Sequence, residues 1–556
     1  INKYIKYGGK QMKKQMKKAG ISLIVLVITI LVMIILAGAV LVGLVVNNPI
    51  GKAKEATFKS DIDGFKSEFT MKLTGKVTSD KNFLPQNINV AGQDVKEYIP
   101  SLKKDYENKI EIIGGEIYYT GTNEKEILWC EDAGITVYRE GQPTLLEGMV
   151  PIKWDQANTV IETTKNDPGW YNYRQQKWAN ARTKDGSMWV WVPRFAYKME
   201  YLDTADKGKG GTVNAKILRG TGNKYLESGN IQDISGEYKV HPAFTDETAI
   251  NFANGGWDKE LTGIWVAKFE AGYAGGNNTA PKKETNVVYT QSTYTDASNG
   301  LKPAEDFYEV YGNKTTNIKY PVFMPNTYSA GIITASDAFD LCKTLADVGN
   351  IYGINSVNAD SHLIKNSEWG AVTYFAKSQF GVEHNIVSPN NKTVSGVRGV
   401  FNLTSGGDYA LNRLQSTTHN IYGVYDLGGG ANEVTAGCLI NNLESQKTNA
   451  NSLACEENRF RSTSDKYLTM YALGAADNEQ ANRVANPKYG DALNEISTAT
   501  TTWESVIGKY FAGDGYVMYR GGSGWYGSTY TGMFVHEGYN GFASKSFGYR
   551  PVLIAN

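Results

Sequence analysis

The hydrophobic pattern divides the chain into an apolar start, an amphipathic segment and a long body of short alternating stretches. Residues 21–46 form a run of 26 residues in which only Ser22 and Thr29 have polar side chains. A membrane-spanning helix needs about 20 apolar residues, so this run predicts a transmembrane segment. It is longer than the apolar core of a secretory signal peptide, which has about 7–15 residues.

An amphipathic helix is predicted directly after Pro49. Apolar residues recur there at near-helical spacing among lysines, glutamates and aspartates, at Ala53, Ala56, Phe58, Ile62, Phe65, Phe69 and Met71. The spacing predicts a helix from about Gly51 to Leu73, which continues the spanning helix across a kink at Pro49. Residues 21–73 are therefore expected to form one transmembrane and amphipathic helix.

Short strands are predicted for most of the remaining chain. Residues 109–113 and 116–119 alternate around Gly114-Gly115, which indicates a hairpin within a small β-rich unit. Two similar aromatic segments, 188–197 and 263–273, have the composition and alternation of strands. Residues 274–303 are rich in Asn, Thr, Gly and Ser and predict a loop.

Few helices are expected in the second half of the chain. Ser336 is predicted to cap one helix, and Ser367 is predicted to cap a second that stops by Gly381. Together with the strands, this pattern predicts the α+β class.

Formal charges cancel over the chain, with 57 Lys and Arg against 57 Asp and Glu, but they are unevenly placed. Residues 1–20 contain seven lysines and no acid, so the other residues have 50 basic and 57 acidic side chains, a net charge of −7. The basic start predicts a cytoplasmic N-terminus, which places residues 47–556 outside the membrane. An acidic exported body does not favour nucleic-acid binding.

The junction between the basic start and the apolar run has a recognisable form. Lys17-Lys18-Ala19-Gly20 is followed directly by Ile21-Ser22-Leu23-Ile24, and this junction resembles a type IV prepilin, in which the prepilin peptidase cuts after the glycine. The resemblance implies processing between Gly20 and Ile21, and other pilin subunits as partners. Val25 stands where pilins usually carry a glutamate used in assembly, so polymerisation is left open. A plain signal anchor is the alternative that the apolar run alone supports.

Five further motifs follow residue 260 in order. They are Gly263–Glu270, His362–Trp369, Asn420–Glu433, Tyr519–Ser523 and Phe547–Pro551. Together they resemble the first strand, the Glu-Trp helix, the glycine-rich turn and the closing strands of the formylglycine-generating enzyme family, a branch of the C-type lectin fold. The resemblance implies a large C-type-lectin-like head over residues 260–556, rich in short strands and loops.

The chemistry of that family is not implied by these motifs. Its catalytic members use a cysteine pair that binds copper just ahead of the final strand, and no cysteine lies between Arg520 and Arg550. Gly430, Asn432 and Val434 replace the family's Asn and two Trp residues, so the calcium site of some members is not expected. The five histidines are scattered singly, without metal-ligand spacing. No catalytic residue, metal or cofactor is therefore expected.

The segment from Gly521 to Asn540 resembles the ligand-facing segment in variable proteins of diversity-generating retroelements, which share this fold. Tyr and Trp offer large, rigid contact area at low entropy cost. The predicted ligand-binding residues are Trp525, Tyr526, Tyr530, His536, Glu537, Tyr539 and Asn540. Internal packing of the same aromatic residues is the alternative.

These features predict a bacterial surface protein, anchored in the membrane through residues 21–46, that binds a protein or carbohydrate ligand and is not an enzyme. A structural minor pilin and a surface enzyme related to formylglycine-generating enzymes are the alternatives. The predicted parts are a basic leader (1–20), a transmembrane and amphipathic pilin-like helix (21–73), a small β-rich unit with a linker at 141–148 (74–148), aromatic-rich strands (149–259) and the C-type-lectin-like head (260–556).

Overall fold

The described part of the chain begins at Pro49 and ends at Ala555. The computed structural model describes residues 49–227, 230–272, 321–325, 333–347, 349–355, 357–382, 409–411, 413–439, 464–471, 488–496, 503, 517–522, 532–539, 541 and 547–555. These residues contain four α-helices and five β-sheets, an α+β fold. The apolar run 21–46 and the predicted loop from Ala274 to Pro303 lie outside them. Among the described residues, no helix is long and apolar enough to cross a membrane.

The first unit is a long helix packed on a small sheet. It consists of α1 (Pro49–Ser79), β1 (Asn89–Val90), β2 (Ile110–Ile113), β3 (Glu116–Tyr119), α2 (Glu124–Asp132) and β4 (Thr136–Val137). The strands lie in the order β1-β2-β3-β4, antiparallel except for the parallel pair β3 and β4.

One face of α1 supplies the core of this unit. Phe58, Ile62, Phe65 and Phe69 are buried at helical spacing. The helix predicted over 51–73 is confirmed, and it continues to the end of α1. The hairpin predicted around Gly114-Gly115 is confirmed as β2 and β3.

The rest of the described chain forms one larger body. Its elements are β5 (Val150–Trp154), β6 (Val160–Glu162), β7 (Asn180–Arg182), β8 (Met188–Pro193), β9 (Phe195–Tyr201), β10 (Gly211–Ile217), β11 (Lys224–Glu227), β12 (Asn230–Asp233), β13 (Lys239–Val240), β14 (Gly263–Ala267), α3 (Ala335–Lys343), β15 (Ala359–Leu363), α4 (Asn366–Ala376), β16 (Asn432–Leu439), β17 (Thr469–Tyr471), β18 (Val517–Arg520), β19 (His536–Tyr539), β20 (Phe547–Tyr549) and β21 (Pro551–Ala555).

A seven-stranded antiparallel sheet forms the centre of this body. Its order is β15-β21-β14-β8-β7-β5-β6. Each predicted aromatic segment contains a strand of this sheet, β8 in 188–197 and β14 in 263–273, but β8 ends at Pro193 and β14 at Ala267. The two strands are neighbours, and Trp265 of β14 lies opposite Trp191 of β8. The sheet and its hydrophobic core combine strands from both sides of residue 260.

A second sheet contains the C-terminal strands. Its order is β17-β16-β18-β19, and β20 pairs with β16 in parallel. Strand β16 is antiparallel to β18 and parallel to β17. The three-stranded sheet β10-β9-β13 and the hairpin of β11 and β12 complete the body.

Helices α3 and α4 lie where two helices are predicted, but their N-caps differ from the prediction. Thr334, not Ser336, caps α3, because its Oγ1 accepts a hydrogen bond from a backbone N–H of the first turn. Lys365, not Ser367, is the N-cap of α4. Ser367 lies inside the first turn, and its hydroxyl donates to the carbonyl of Gly255 at 2.5 Å.

The segment predicted as a linker packs between the two units. Residues 141–146 are buried or half-buried, and the carbonyl of Thr144 accepts a hydrogen bond from Trp265 Nε1 at 2.7 Å. Arg219 of the large body also pairs with Glu111 of the small unit at 2.6 Å. The units therefore contact each other beyond the connecting chain.

Candidate functional site

Strands β18 and β19 bring two of the predicted ligand-binding residues onto one sheet face. Tyr519 lies directly opposite Glu537 in the antiparallel register, and its hydroxyl donates to the Glu537 carboxylate. Tyr539 is two residues beyond Glu537, so strand alternation places it on the same face. Glu537 and Tyr539 are both half-buried.

An aromatic cluster lies beside this carboxylate. The rings of Tyr539 and Phe547 stack with centroids 4.1 Å apart and an angle of 28° between their planes. The Tyr519 ring lies 5.8 Å from that of Tyr539 and 5.2 Å from that of Phe547. We call Tyr519, Glu537, Tyr539 and Phe547 the aromatic face.

The phenol of Tyr539 is the unusual group of the aromatic face. Its hydroxyl is inaccessible to solvent and has no hydrogen-bond partner among the described residues, and burial raises the pKa of the phenol. A buried hydroxyl without a partner costs free energy.

His536 is separated from the aromatic face. Its ring is fully buried, and Nδ1 lies 3.2 Å from the carbonyl oxygen of Phe534. Burial and the nearby Arg520 charge lower the pKa of His536 to about 3. Because adjacent strand residues point to opposite faces, His536 lies on the other side of the sheet from Glu537.

The remaining predicted site residues lie outside the described part of the chain. They are Gly20, Ile21, Trp525, Tyr526, Tyr530 and Asn540. The two ends of the segment that contains Trp525, Tyr526 and Tyr530 are described, and they are held together.

Three hydrogen bonds hold these ends. The backbone N–H of Gly521 donates to Val535 O at 3.2 Å, and that of Gly532 donates to Gly521 O at 3.1 Å. Trp369 Nε1 of α4 donates to Met533 O at 2.8 Å. Gly521 has φ +86°, a left-handed conformation that favours glycine. The described residues on either side of 523–531 are therefore held together, and we call Gly521, Gly532 and the residues bonded to them the stem.

A buried ion pair fixes the sheet behind the aromatic face. Arg550 and Glu433 are fully buried, with Nη2 and Oε1 2.6 Å apart. Arg550 also donates to the carbonyls of Ala267 and Tyr425 at 2.7 and 2.8 Å. Burial raises the pKa of Glu433, and the Arg550 charge opposes that shift. These bonds join β16 to β14 and to the turn before β16.

Tyr519 and Phe547 belong to the aromatic face but are not among the residues that the sequence predicts for the site. They lie on strands within the motifs Tyr519–Ser523 and Phe547–Pro551, and their contact with Tyr539 depends on the register between strands. Alternation along 517–520 and 547–549 is the signal that could have assigned them to one face.

No metal site is present among the described residues, because no three of their His, Cys, Asp and Glu side chains are grouped to hold an ion. No protein-family model and no curated protein matches the chain.

Proposed function

We propose that this protein is a bacterial surface protein that binds a ligand through the aromatic face of a C-type-lectin-like head and is not an enzyme. The stack of Tyr539 and Phe547 beside the Glu537 carboxylate carries this proposal. Such a surface combines apolar area with a charged acceptor and a phenol donor, as protein and carbohydrate binding sites do.

The rigid support of the aromatic face favours binding. The Arg550–Glu433 pair and the stem at Gly521 and Gly532 hold the strands in fixed positions. A preorganised surface loses less conformational entropy when a ligand binds. The residues Trp525, Tyr526 and Tyr530 are proposed to extend the same surface.

The N-terminal region favours display outside a membrane. Among the described side chains of α1, the first buried one is Phe58, so the turns from Lys52 to Thr57 extend beyond the core of the small unit. The apolar run 21–46 precedes these turns in the sequence and is proposed to anchor the chain as a prepilin-like helix. The proposed location of the head is therefore the cell exterior.

The full chain in lipid nanodiscs tests the proposal against a glycan array and against intact cells. Tyr539→Ala, or Tyr526→Ala with Tyr530→Ala, is expected to weaken binding at least about tenfold, because aromatic anchors dominate binding energy. Glu537→Gln keeps an acceptor for Tyr519 and removes the charge, and it is expected to weaken binding less.

Tyr225→Ala is the matched control, because Tyr225 is a half-buried tyrosine on the separate hairpin of β11 and β12. Circular dichroism establishes that each variant is folded. Failure of the intact chain to bind either probe contradicts the proposal, as does equal loss in Tyr225→Ala.

A further inference from the structure

A second cluster surrounds His362 on β15, away from the aromatic face. The imidazole is fully buried, with Nδ1 3.3 Å from Asp360 Oδ1 and Nε2 2.8 Å from Glu368 Oε1. A neutral imidazole has a single N–H and can donate to one carboxylate, whereas an imidazolium donates to both. The geometry therefore assigns the doubly protonated ring to this position.

Trp257 shields the imidazole from water. Its indole ring stacks on His362 with centroids 5.0 Å apart and planes 23° apart. The Nζ of Lys365 lies 4.8 Å from the centre of the Trp257 ring and 3.7 Å from Glu368 Oε1. Lys365 has the same charge as the imidazolium and shares the Glu368 carboxylate with it. The Glu368 and Asp360 carboxylates therefore hold the proton on the ring against desolvation.

Several other charged or titratable groups face this cluster. They are Lys365 at the N-cap of α4, Lys466 and Tyr467 ahead of β17, Glu247, Asp258 and Lys259 before β14, and Lys343 on α3. Lys466 Nζ pairs with Asp258 at 2.7 Å and lies 3.8 Å from Asp360. Each carboxylate beside His362 also has a lysine nearby: Lys365 near Glu368 and Lys466 near Asp360. The His362 ring contacts both carboxylates.

Asp360 connects His362 to a separate segment of the chain. Its Oδ2 accepts a hydrogen bond from the Tyr467 hydroxyl at 2.6 Å. Tyr467 immediately precedes Leu468 and β17, the edge strand beside β16. Hydrogen bonds therefore join Glu368 of α4 to His362, His362 to Asp360, and Asp360 to Tyr467, two residues ahead of β17. We call these four residues the clasp.

We propose that the proton on His362 is a switch that fastens residues 464–471 to the body of the protein. When the imidazolium loses a proton, the proton leaves from Nδ1, because the shorter hydrogen bond keeps the N–H of Nε2 directed at Glu368. The lone pair of Nδ1 then faces the Asp360 carboxylate and repels it. Asp360 is near the surface, with 12% of its side chain exposed, so it turns towards water. Tyr467 then loses its acceptor. This inference does not depend on the proposed ligand binding.

The charges around the clasp set the pH range in which it is closed. Burial alone lowers the pKa of His362, but the Glu368 and Asp360 carboxylates outweigh burial and raise that pKa above its usual 6.5. Burial opposes ionisation of Asp360, and the His362 contacts outweigh it and lower the pKa of Asp360. The contribution of His362 to folding is complete below its unfolded pKa and is lost as pH rises through the raised value.

Hydrogen exchange of the full chain in detergent, from pH 6 to pH 9.5, tests the switch. Protection of residues 464–471, corrected for the intrinsic rate, is expected to fall about tenfold as His362 loses its proton. Nuclear magnetic resonance of 13Cε1-labelled histidines follows that proton directly, and His362→Gln assigns the signal. His241 is the internal control, because burial lowers its pKa to about 3.

Two variants separate the switch from a merely structural cluster. Asp360→Asn supplies an amide N–H to the neutral Nδ1 and keeps an acceptor for Tyr467, so protection of 464–471 is expected to become independent of pH. Tyr467→Phe is expected to lower this protection about tenfold where His362 is protonated and to leave it unchanged where the ring is neutral, while His362 still titrates. Any one of three results overturns the proposal. They are a pKa of His362 below 6.5, protection of residues 464–471 that does not change as His362 titrates, and protection in Asp360→Asn that depends on pH as in the natural chain.

Discussion

At the residue scale, Asp491 is a buried acid whose charge is poorly compensated. Its carboxylate accepts hydrogen bonds from Tyr471 Oη and Leu493 N at 3.0 Å each. Arg520 donates to the backbone carbonyls of Asp491 and Ala492, and its charge offsets only part of the shift in the Asp491 pKa. Burial, with the neighbouring Glu495 charge, raises the pKa of Asp491 from 3.8 to about 6. Ionisation of Asp491 therefore costs folding free energy.

The raised pKa predicts how stability depends on pH. The contribution of the protonated acid is complete below the unfolded pKa and is lost as pH rises through about 6. The loss is roughly 3 kcal/mol. Asp491→Asn is expected to abolish it, so that the variant gains about this much relative to the natural chain between pH 4 and pH 7. Urea unfolding at several pH values measures the difference.

Asp347→Asn is the matched control, because Asp347 is exposed and the change is chemically the same. If the free energy of unfolding of both variants equals that of the natural chain at every pH, the predicted role of Asp491 is wrong.

The chemistry of individual residues in the sequence predicts only part of the aromatic face. Glu537 and Tyr539 were identified by their chemistry, and the structure places them together. His536 has equally suitable chemistry, but it is one residue away and therefore lies on the opposite face. Tyr519 and Phe547 come from other strands, and no local pattern specifies which strands pair.

At the scale of elements, the Arg550–Glu433 pair joins strands that are far apart in sequence. Arg550→Met leaves the Glu433 charge buried without its partner, and it is expected to lower the free energy of unfolding by about 3–5 kcal/mol. Adding Glu433→Leu removes the stranded charge and is expected to recover much of the loss. Urea unfolding of the two variants measures both effects, and equal stability of the single and double variants contradicts the explanation.

Element positions were predicted better than element ends. The apolar spacing of α1 and the alternation of β8 and β14 survive in the structure because burial follows the same periodicity. The cap at Ser367 was wrong because its hydroxyl bonds to Gly255, a residue 112 positions away. Such a tertiary contact overrides a local capping preference, and no local pattern reveals it.

At the scale of the whole molecule, the sequence suggests more independent parts than the structure contains. The motifs that resemble the formylglycine-generating enzyme family begin after residue 260 and predict a boundary there, yet β8 and β14 on either side of it are hydrogen-bonded neighbours in one sheet. Composition describes single segments, whereas a core is defined by contacts between segments. The same reason explains why residues 141–146 look like a linker and are packed against the large body.

The contact between the two units predicts protection of the chain that joins them. Gly220 has φ +54°, and a Cβ on it would lie 2.2 Å from Asn89 Oδ1 and 2.8 Å from Ile113 Cγ2 of the small unit. Gly220→Ala is therefore expected to separate the units and to expose Arg139, whose guanidinium now lies 4.2 Å from the centre of the Tyr171 ring. Trypsin cleavage after Arg139 in the native full chain is expected to accelerate at least about tenfold.

Gly222→Ala is the control from the same turn, because the nearest atom to its added Cβ is Arg219 O at an ordinary 3.5 Å. It is expected to leave cleavage after Arg139 unchanged, since it adds the same methyl group without entering the contact. Equal rates in the two variants would mean that the units do not depend on this contact. A selective acceleration in Gly220→Ala would mean that the small unit and the large body hold each other in place through this contact.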